Sequence, residues 1–170
     1  REKEMVRLGA GGLDGKKLTR SAQTAALQAL SKFERIARSH QVDEILAVAT
    51  SATREAENGG AFLAAIKQQT GIRARIITGA EEARLIHLAA VYGVDTPNAA
   101  VVIDIGGGSV EITLGSGREV QFARSFKMGV IRLTERYVTS DPISGRDTRK
   151  MVKFIGEQVD RYVSHIVREG

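Results

Sequence analysis

The stretch that decides the fold is VVIDIGGGSVEITLG, Val101 to Gly115. An apolar run ends in an aspartate and three consecutive glycines, and a second run starts at once. Val110-Glu111-Ile112-Thr113-Leu114 alternates with period two, the mark of a strand with two unlike faces. The glycines therefore sit at the tip of a hairpin. They weaken regular structure, so three in a row imply that the backbone must come close to something. A dinucleotide-binding loop would open onto a helix, and a Walker loop would end in Gly-Lys-Ser/Thr; neither follows here. What fits is a nest of N–H groups from Gly106 to Ser109, suited to phosphate oxygens. Asp104 closes the incoming strand and Glu111 lies just inside the outgoing one, so two carboxylates stand at the edge of one anion cradle. Carboxylates approach phosphate through a divalent cation, or orient an attacking water. The structural alternative is a tight hairpin in which Asp104 satisfies turn amides.

Outward from the hairpin, Ala100–Ile105, Val110–Leu114 and Glu119–Phe126 read as an antiparallel meander, because GGGS and GSGR are short connections. Two helices follow, GVIRLTERYV and a longer one from about Ser144 to Val167. Upstream, TRSAQTAALQALSKFERIARSH places Ala26, Leu30, Phe33 and Ala37 on one helical stripe. Ile45–Ala49 reads as a strand buried on both faces, followed by a helix to Thr70 with Gly71 as its cap. Then come the strand IRARIIT and the helix AEEARLIHLAAVYG. Strand, helix, strand, helix predicts a parallel α/β sheet. The break at VDTPNAA sets the expected boundary between a domain over residues 1–96 and another over 97–170.

Composition narrows the class. The 170 residues are 42% hydrophobic and carry 25 Lys and Arg against 20 Asp and Glu, a net charge of +5 that suits an anionic ligand. With 5% aromatic residues and no Trp, a base-stacking platform for nucleic acid is not expected. Cysteine is absent, which removes disulfides and thiolate metal sites and fits a cytoplasmic protein. No apolar run reaches the length of a membrane span.

Two further stretches carry chemistry. In ATSATREAENG, Thr50 and Ser51 are natural N-caps, and Arg54 is expected in the first helical turn. A cation there opposes the helix dipole, and a docked phosphate would reverse that cost; the alternative is an ordinary surface arginine. In ITGAEEARL, Thr78 and Glu81 have the spacing of a capping box, which leaves Glu82 without a structural task at a strand end.

Taken in order and spacing, ATSATREAENG, ITGAEEARL, VVIDIGGGSVEI and FKMGVIRLTERYVTSDP resemble the exopolyphosphatase/guanosine pentaphosphate phosphatase family, of the actin-like ATPase superfamily. The resemblance implies an α/β fold of two ribonuclease-H-like lobes with a cleft, both lobes incomplete in this chain. It implies Mg²⁺ or another divalent cation, and hydrolysis of a terminal phosphoanhydride in inorganic polyphosphate or guanosine pentaphosphate (pppGpp to ppGpp), in a protein that forms a homodimer. By motif match, Asp104 is the metal-associated aspartate; Gly106, Gly107, Gly108 and Ser109 are the phosphate cradle; Glu111 is a second catalytic carboxylate; Arg54 is a phosphate-binding arginine. Glu82 is the expected general base, with Glu81 the second choice. The family's opening D-x-G-S-N-S loop has no counterpart before Arg1, so the chain reads as an internal portion of a longer enzyme. Rival readings are an actin-like ATPase or kinase, and a non-catalytic sensor of polyphosphate or an alarmone.

Overall fold

The computed structural model describes residues 1–11, 17–94 and 99–169, with side chains as far as residue 163. The chain forms two compact units, Arg1–Thr78 and Gly79–Gly170. The boundary expected between residues 96 and 97 lies outside the described residues.

The first unit is built on α1 (Arg20–Ser39), capped by the Thr19 hydroxyl, which accepts from the amide of Ala22 at 3.2 Å. Of the predicted stripe, Ala26 joins Leu18, Phe62, Ile66 and Ile72 in a core that Leu30 packs against, while Phe33 and Ala37 stay partly exposed. Strand β1 (Ala47–Ala49) is followed by the single-turn helix α2 (Ser51–Glu55) and by α3 (Gly59–Thr70). Gly71 ends α3 in the left-handed conformation, its amide donating to the Lys67 carbonyl. Strand β2 (Ala74–Ile76) pairs with β1 in parallel, as the alternating strand–helix order predicts. Burial on both faces of the first strand does not hold. Leu46 is 84% exposed and Val48 half exposed. Only the face carrying Ala47 packs against the core, and among the described residues β1 has a single neighbouring strand.

The second unit begins with α4 (Gly79–Gly93) and continues through β3 (Ala99–Ile105), β4 (Val110–Ser116) and β5 (Glu119–Phe126). The three strands form the predicted antiparallel meander, in the order β3-β4-β5. Two helices close it, α5 (Val130–Tyr137) and α6 (Gly145–Glu169). The period of two separates the faces of this sheet. One face carries Val110, Ile112 and Phe126 and packs with Met128, Leu133, Phe154, Ile155, Val159 and Tyr162. Along β3, the apolar residues of that face, Val101, Ile103 and Ile105, stay about half exposed or more. The opposite face carries Asp104, Glu111, Thr113 and Ser125, and α4 packs across β4 and β5. No helix among the described residues is long and apolar enough to cross a membrane.

Candidate functional site

The hairpin register places Asp104 directly opposite Glu111, at the end of the sheet where the glycine loop turns. Asp104 is exposed, whereas Glu111 is 1% exposed. A buried carboxylate needs compensation, and here it comes from hydroxyls. Ser125 donates to Glu111 Oε1 at 2.6 Å, and Ser109 forms a second side-chain hydrogen bond to the same carboxyl. Burial nevertheless dominates and pushes the Glu111 carboxyl above the usual carboxylate range, with Glu82 and Asp104 pushing in the same direction and the two hydroxyls opposing. Glu82, in the first turn of α4, and Asp104, on β3, are thus both electrostatic neighbours of Glu111. The second unit gathers the three carboxylates that the motifs single out.

Ser125 is the residue that sequence reasoning misses. A regular hairpin counted back from the Ser116–Glu119 pair would set Glu111 opposite Arg124 as an ion pair. A register shift between Leu114 and Gly115 moves the pairing by one, so Glu111 faces Ser125 and Ile112 faces Arg124. Arg124 then lies on the other face, its guanidinium 4.4 Å from the ring centre of Tyr162. One extra residue in β5 thereby gives Glu111 a hydroxyl in place of a cation.

The glycine loop also differs from the expectation. Not all of its amides point outward: Gly106 N–H donates to the Ser109 carbonyl at 3.0 Å and closes the turn. Among the described residues, the amides of Gly107, Gly108 and Ser109 donate no hydrogen bond, so the cradle narrows to these three. Ser109 contributes its carbonyl to the turn and its hydroxyl to Glu111. What the loop backbone comes close to is the start of α5. Gly129, Val130 and Ile131 donate their amides to the carbonyls of Gly108, Gly106 and Gly107 at 3.3, 2.9 and 2.9 Å. Arg132 Nε adds a contact to the Gly108 carbonyl at 3.3 Å.

Behind the carboxylates, α4 is pinned to the sheet by His87, which is fully buried. Its Nε2 lies 3.2 Å from the Gly117 carbonyl, which can only accept, so Nε2 carries the proton. Nδ1 then accepts from the Thr113 hydroxyl at 2.9 Å. The backbone and the imidazole together explain Gly115: a Cβ there would clash with the Glu119 carbonyl oxygen and meet His87 Nε2 at 2.9 Å.

Arg54 belongs to the first unit and overturns the dipole argument. The helix α2 spans five residues, so Arg54 stands in its last turn, where a cation is favoured. Its Nη1 donates to the Ile77 carbonyl at 2.8 Å, tying the helix to the chain just beyond β2. Thr50 is the N-cap residue without a side-chain capping bond, and the Ser51 hydroxyl turns instead to Glu55. Thr78 directly precedes α4 and Glu81 is its third residue, which is the spacing of a capping box.

Whether this donor set suits a divalent cation can be judged from its chemistry. It is all oxygen, and burial together with the neighbouring Glu82 and Asp104 disfavours charge on Glu111, a cost that a cation would relieve. No group of three or more Asp, Glu or His in metal-holding geometry occurs among the described residues. Mg²⁺ is commonly held by one or two carboxylates together with water and substrate phosphates.

The chain is 33% identical over 142 residues to exopolyphosphatase 1 of Mycobacterium tuberculosis, covering 82% of this chain and 41% of that protein. It is 35% identical over 127 residues to exopolyphosphatase 1 of Mycobacterium leprae, covering 74% and 38% respectively. The crystal structure of an exopolyphosphatase from Cytophaga hutchinsonii superposes with a TM-score of 0.94 at 33% identity, over 98% of this chain and 54% of that one. The Aquifex aeolicus member of the Ppx/GppA family gives a TM-score of 0.71 at 28% identity, over 91% of this chain and 50% of that one. The chain thus spans about half the length of these relatives or less. The family model of the Ppx/GppA phosphatases matches residues 1–170, and the chain belongs to that family.

Proposed function

We propose that the intact protein is a metal-dependent phosphoanhydride hydrolase that releases terminal phosphate from inorganic polyphosphate. The observation that carries this reading is the gathering of Glu82, Asp104 and Glu111 beside a loop whose Gly107 and Gly108 amides are unengaged. Three carboxylates around an anion cradle exceed what anion binding alone requires, because each adds repulsion toward phosphate. They suit a reaction that needs a cation and a positioned water.

In this reading Asp104 and Glu111 would hold the divalent cation, which would supply charge neutralisation for the transferring phosphoryl group. The amides of Gly107 and Gly108 bind phosphate oxygens. Glu82 orients the attacking water and accepts its proton at a carboxylate oxygen. Ser125 and Ser109 fix the rotamer of Glu111 through its two hydroxyl contacts. Arg54, in the first unit, is proposed as a phosphate ligand on its motif match alone. Hydrolysis of guanosine pentaphosphate, a role in the stringent response, a dimeric state and a cytoplasmic location are parts of the same proposal that rest on the family resemblance.

The test is phosphate release by the intact protein with Mg²⁺, comparing long-chain polyphosphate with guanosine pentaphosphate. Release from polyphosphate that disappears on chelation and in Asp104→Asn is expected. Binding of polyphosphate without any release would favour a sensor instead, and release from ATP alone would favour an ATPase.

A further inference from the structure

The carbonyls of the glycine loop have an arrangement that the phosphate reading does not by itself require. Each of the three glycines has its C=O engaged by the opening of α5: Gly106 by the Val130 amide, Gly107 by Ile131, and Gly108 by Gly129 and Arg132 Nε. The first amides of a helix lack intrahelical partners and normally turn to water or a capping side chain. Here the N-cap is Gly129, which has no side chain to cap with, and the amides are consumed by the loop. The contact is too close for any other residue. A Cβ at position 129 would stand 2.5 Å from the carbonyl carbon and oxygen of Gly107 and from the carbonyl carbon of Gly108.

A peptide unit holds its C=O and N–H on opposite sides. Anchoring the carbonyls of 106 and 107 on α5 therefore sets the direction of the amides of 107 and 108, and the Gly108 carbonyl does the same for the amide of Ser109; none of these three amides is engaged. Glycines without such tethers would sample many backbone states, and each would have to be frozen when a phosphate binds.

We propose that the N-terminal turn of α5 is a positioning element: by tethering the loop carbonyls it holds the Gly107 and Gly108 amides ready for phosphate before substrate arrives. This rests on the reading of the loop as a phosphate cradle. Gly129, Val130 and Ile131 act through the loop and touch no substrate.

Val130 offers a clean test. It is the first residue of α5 and half exposed. Proline is favoured at that position because its missing N–H costs the helix nothing. The preceding residue, Gly129, has φ −67° and ψ 164°, a conformation proline accepts in its predecessor. Val130→Pro in the intact protein thus deletes one tether and spares the helix, and Val130→Ala removes the same side chain while keeping the tether. The proline variant should melt near wild type, raise KM for polyphosphate and the inhibition constant of inorganic phosphate by roughly three- to tenfold, and speed hydrogen exchange at Gly107 and Gly108. The alanine variant should match wild type in all three. Equal behaviour of the two variants would overturn the proposal. Hydrogen exchange keeps the two readings separable: a proline variant with fast loop exchange, in a protein that releases no phosphate, would uphold the tether and remove the phosphatase. If Val130→Pro fails to fold, wild-type exchange decides. Val130 and Ile131 amides must be protected despite their place at a helix start, and fast exchange there would overturn the tether.

Discussion

The two faces of the β3–β5 sheet are made from neighbouring residues of the same strands and follow opposite rules. On one, Val110, Ile112 and Phe126 meet α5 and α6, and the contacts are apolar or aromatic, with Phe126 and Tyr162 edge to face at 5.6 Å. On the other, Glu111 and Thr113 are as deeply buried as any core residue, yet each is held by hydrogen bonds. The first face stabilises by removing area from water and tolerates near-isosteric change. The second buries groups whose desolvation must be offset one by one. A protein keeps the second kind of surface where it has a chemical use for it. The difference teaches where to look: the stabilising face and the face proposed to react are one residue apart along β4.

The largest expected effect on stability is on the apolar face. Phe126→Ala should cost about 3–5 kcal/mol in unfolding free energy, leaving phosphate release close to wild type wherever the variant is still folded. Denaturant unfolding with parallel rate measurements checks it. A severe loss of rate in the folded variant would break the distinction between the faces.

On the polar face, Glu111→Gln should lower the rate by about 10²–10³-fold without destabilising the ligand-free protein at neutral pH. The sign follows from the raised pKa of Glu111. Stability tied to this group is fully present below its ordinary value of about 4.3, and is lost as the pH rises through the higher folded-state value. Removing the titration should flatten that part of the pH–stability curve. A variant clearly less stable than wild type at pH 7 would show that the ionised carboxylate is a structural ion.

A smaller effect is expected at Thr113→Val. It leaves the buried Nδ1 of His87 without a donor and should cost about 1–3 kcal/mol. Thermal melting checks it, and a variant that melts like wild type would mean that shape rather than hydrogen bonding sets this contact.

Much of this fold is legible from periodicity. Alternation in Val110–Leu114 and the short GSGR connection suffice for the meander, and the helical stripe through Ala26 suffices for α1. What stays hidden depends on a partner or on one residue of register. Ile45–Ala49 is apolar throughout, but an apolar run does not reveal how many neighbours cover it. Arg54 looks like an N-terminal residue only if the helix is long; a helix ending at Glu55 reverses the reading. Of the site, Asp104 and Glu111 could be paired from the hairpin, because GGGS fixes their register. Ser125 could not, because a bulge in β5 separates it from the position that simple counting assigns. The amides of Gly106–Ser109 look alike in sequence, and only the closing of the turn, Gly106 N–H on the Ser109 carbonyl, separates the engaged one from those that remain.

The central claim is that the α4-covered face holds the reacting carboxylates, with Glu82 acting on water and Glu81 on the helix start. These side chains are about 100° apart around α4. The direct measurement is the initial rate of phosphate release from polyphosphate at saturating Mg²⁺ by the intact protein and its Glu82→Gln and Glu81→Gln variants, with melting recorded on the same samples. The account predicts a rate loss of about 10²-fold or more for Glu82→Gln at unchanged melting temperature, and for Glu81→Gln a loss of roughly 0.5–2 kcal/mol in stability with most of the rate retained. A Glu82→Gln variant that turns over like wild type, while Glu81→Gln is inactive, would contradict it.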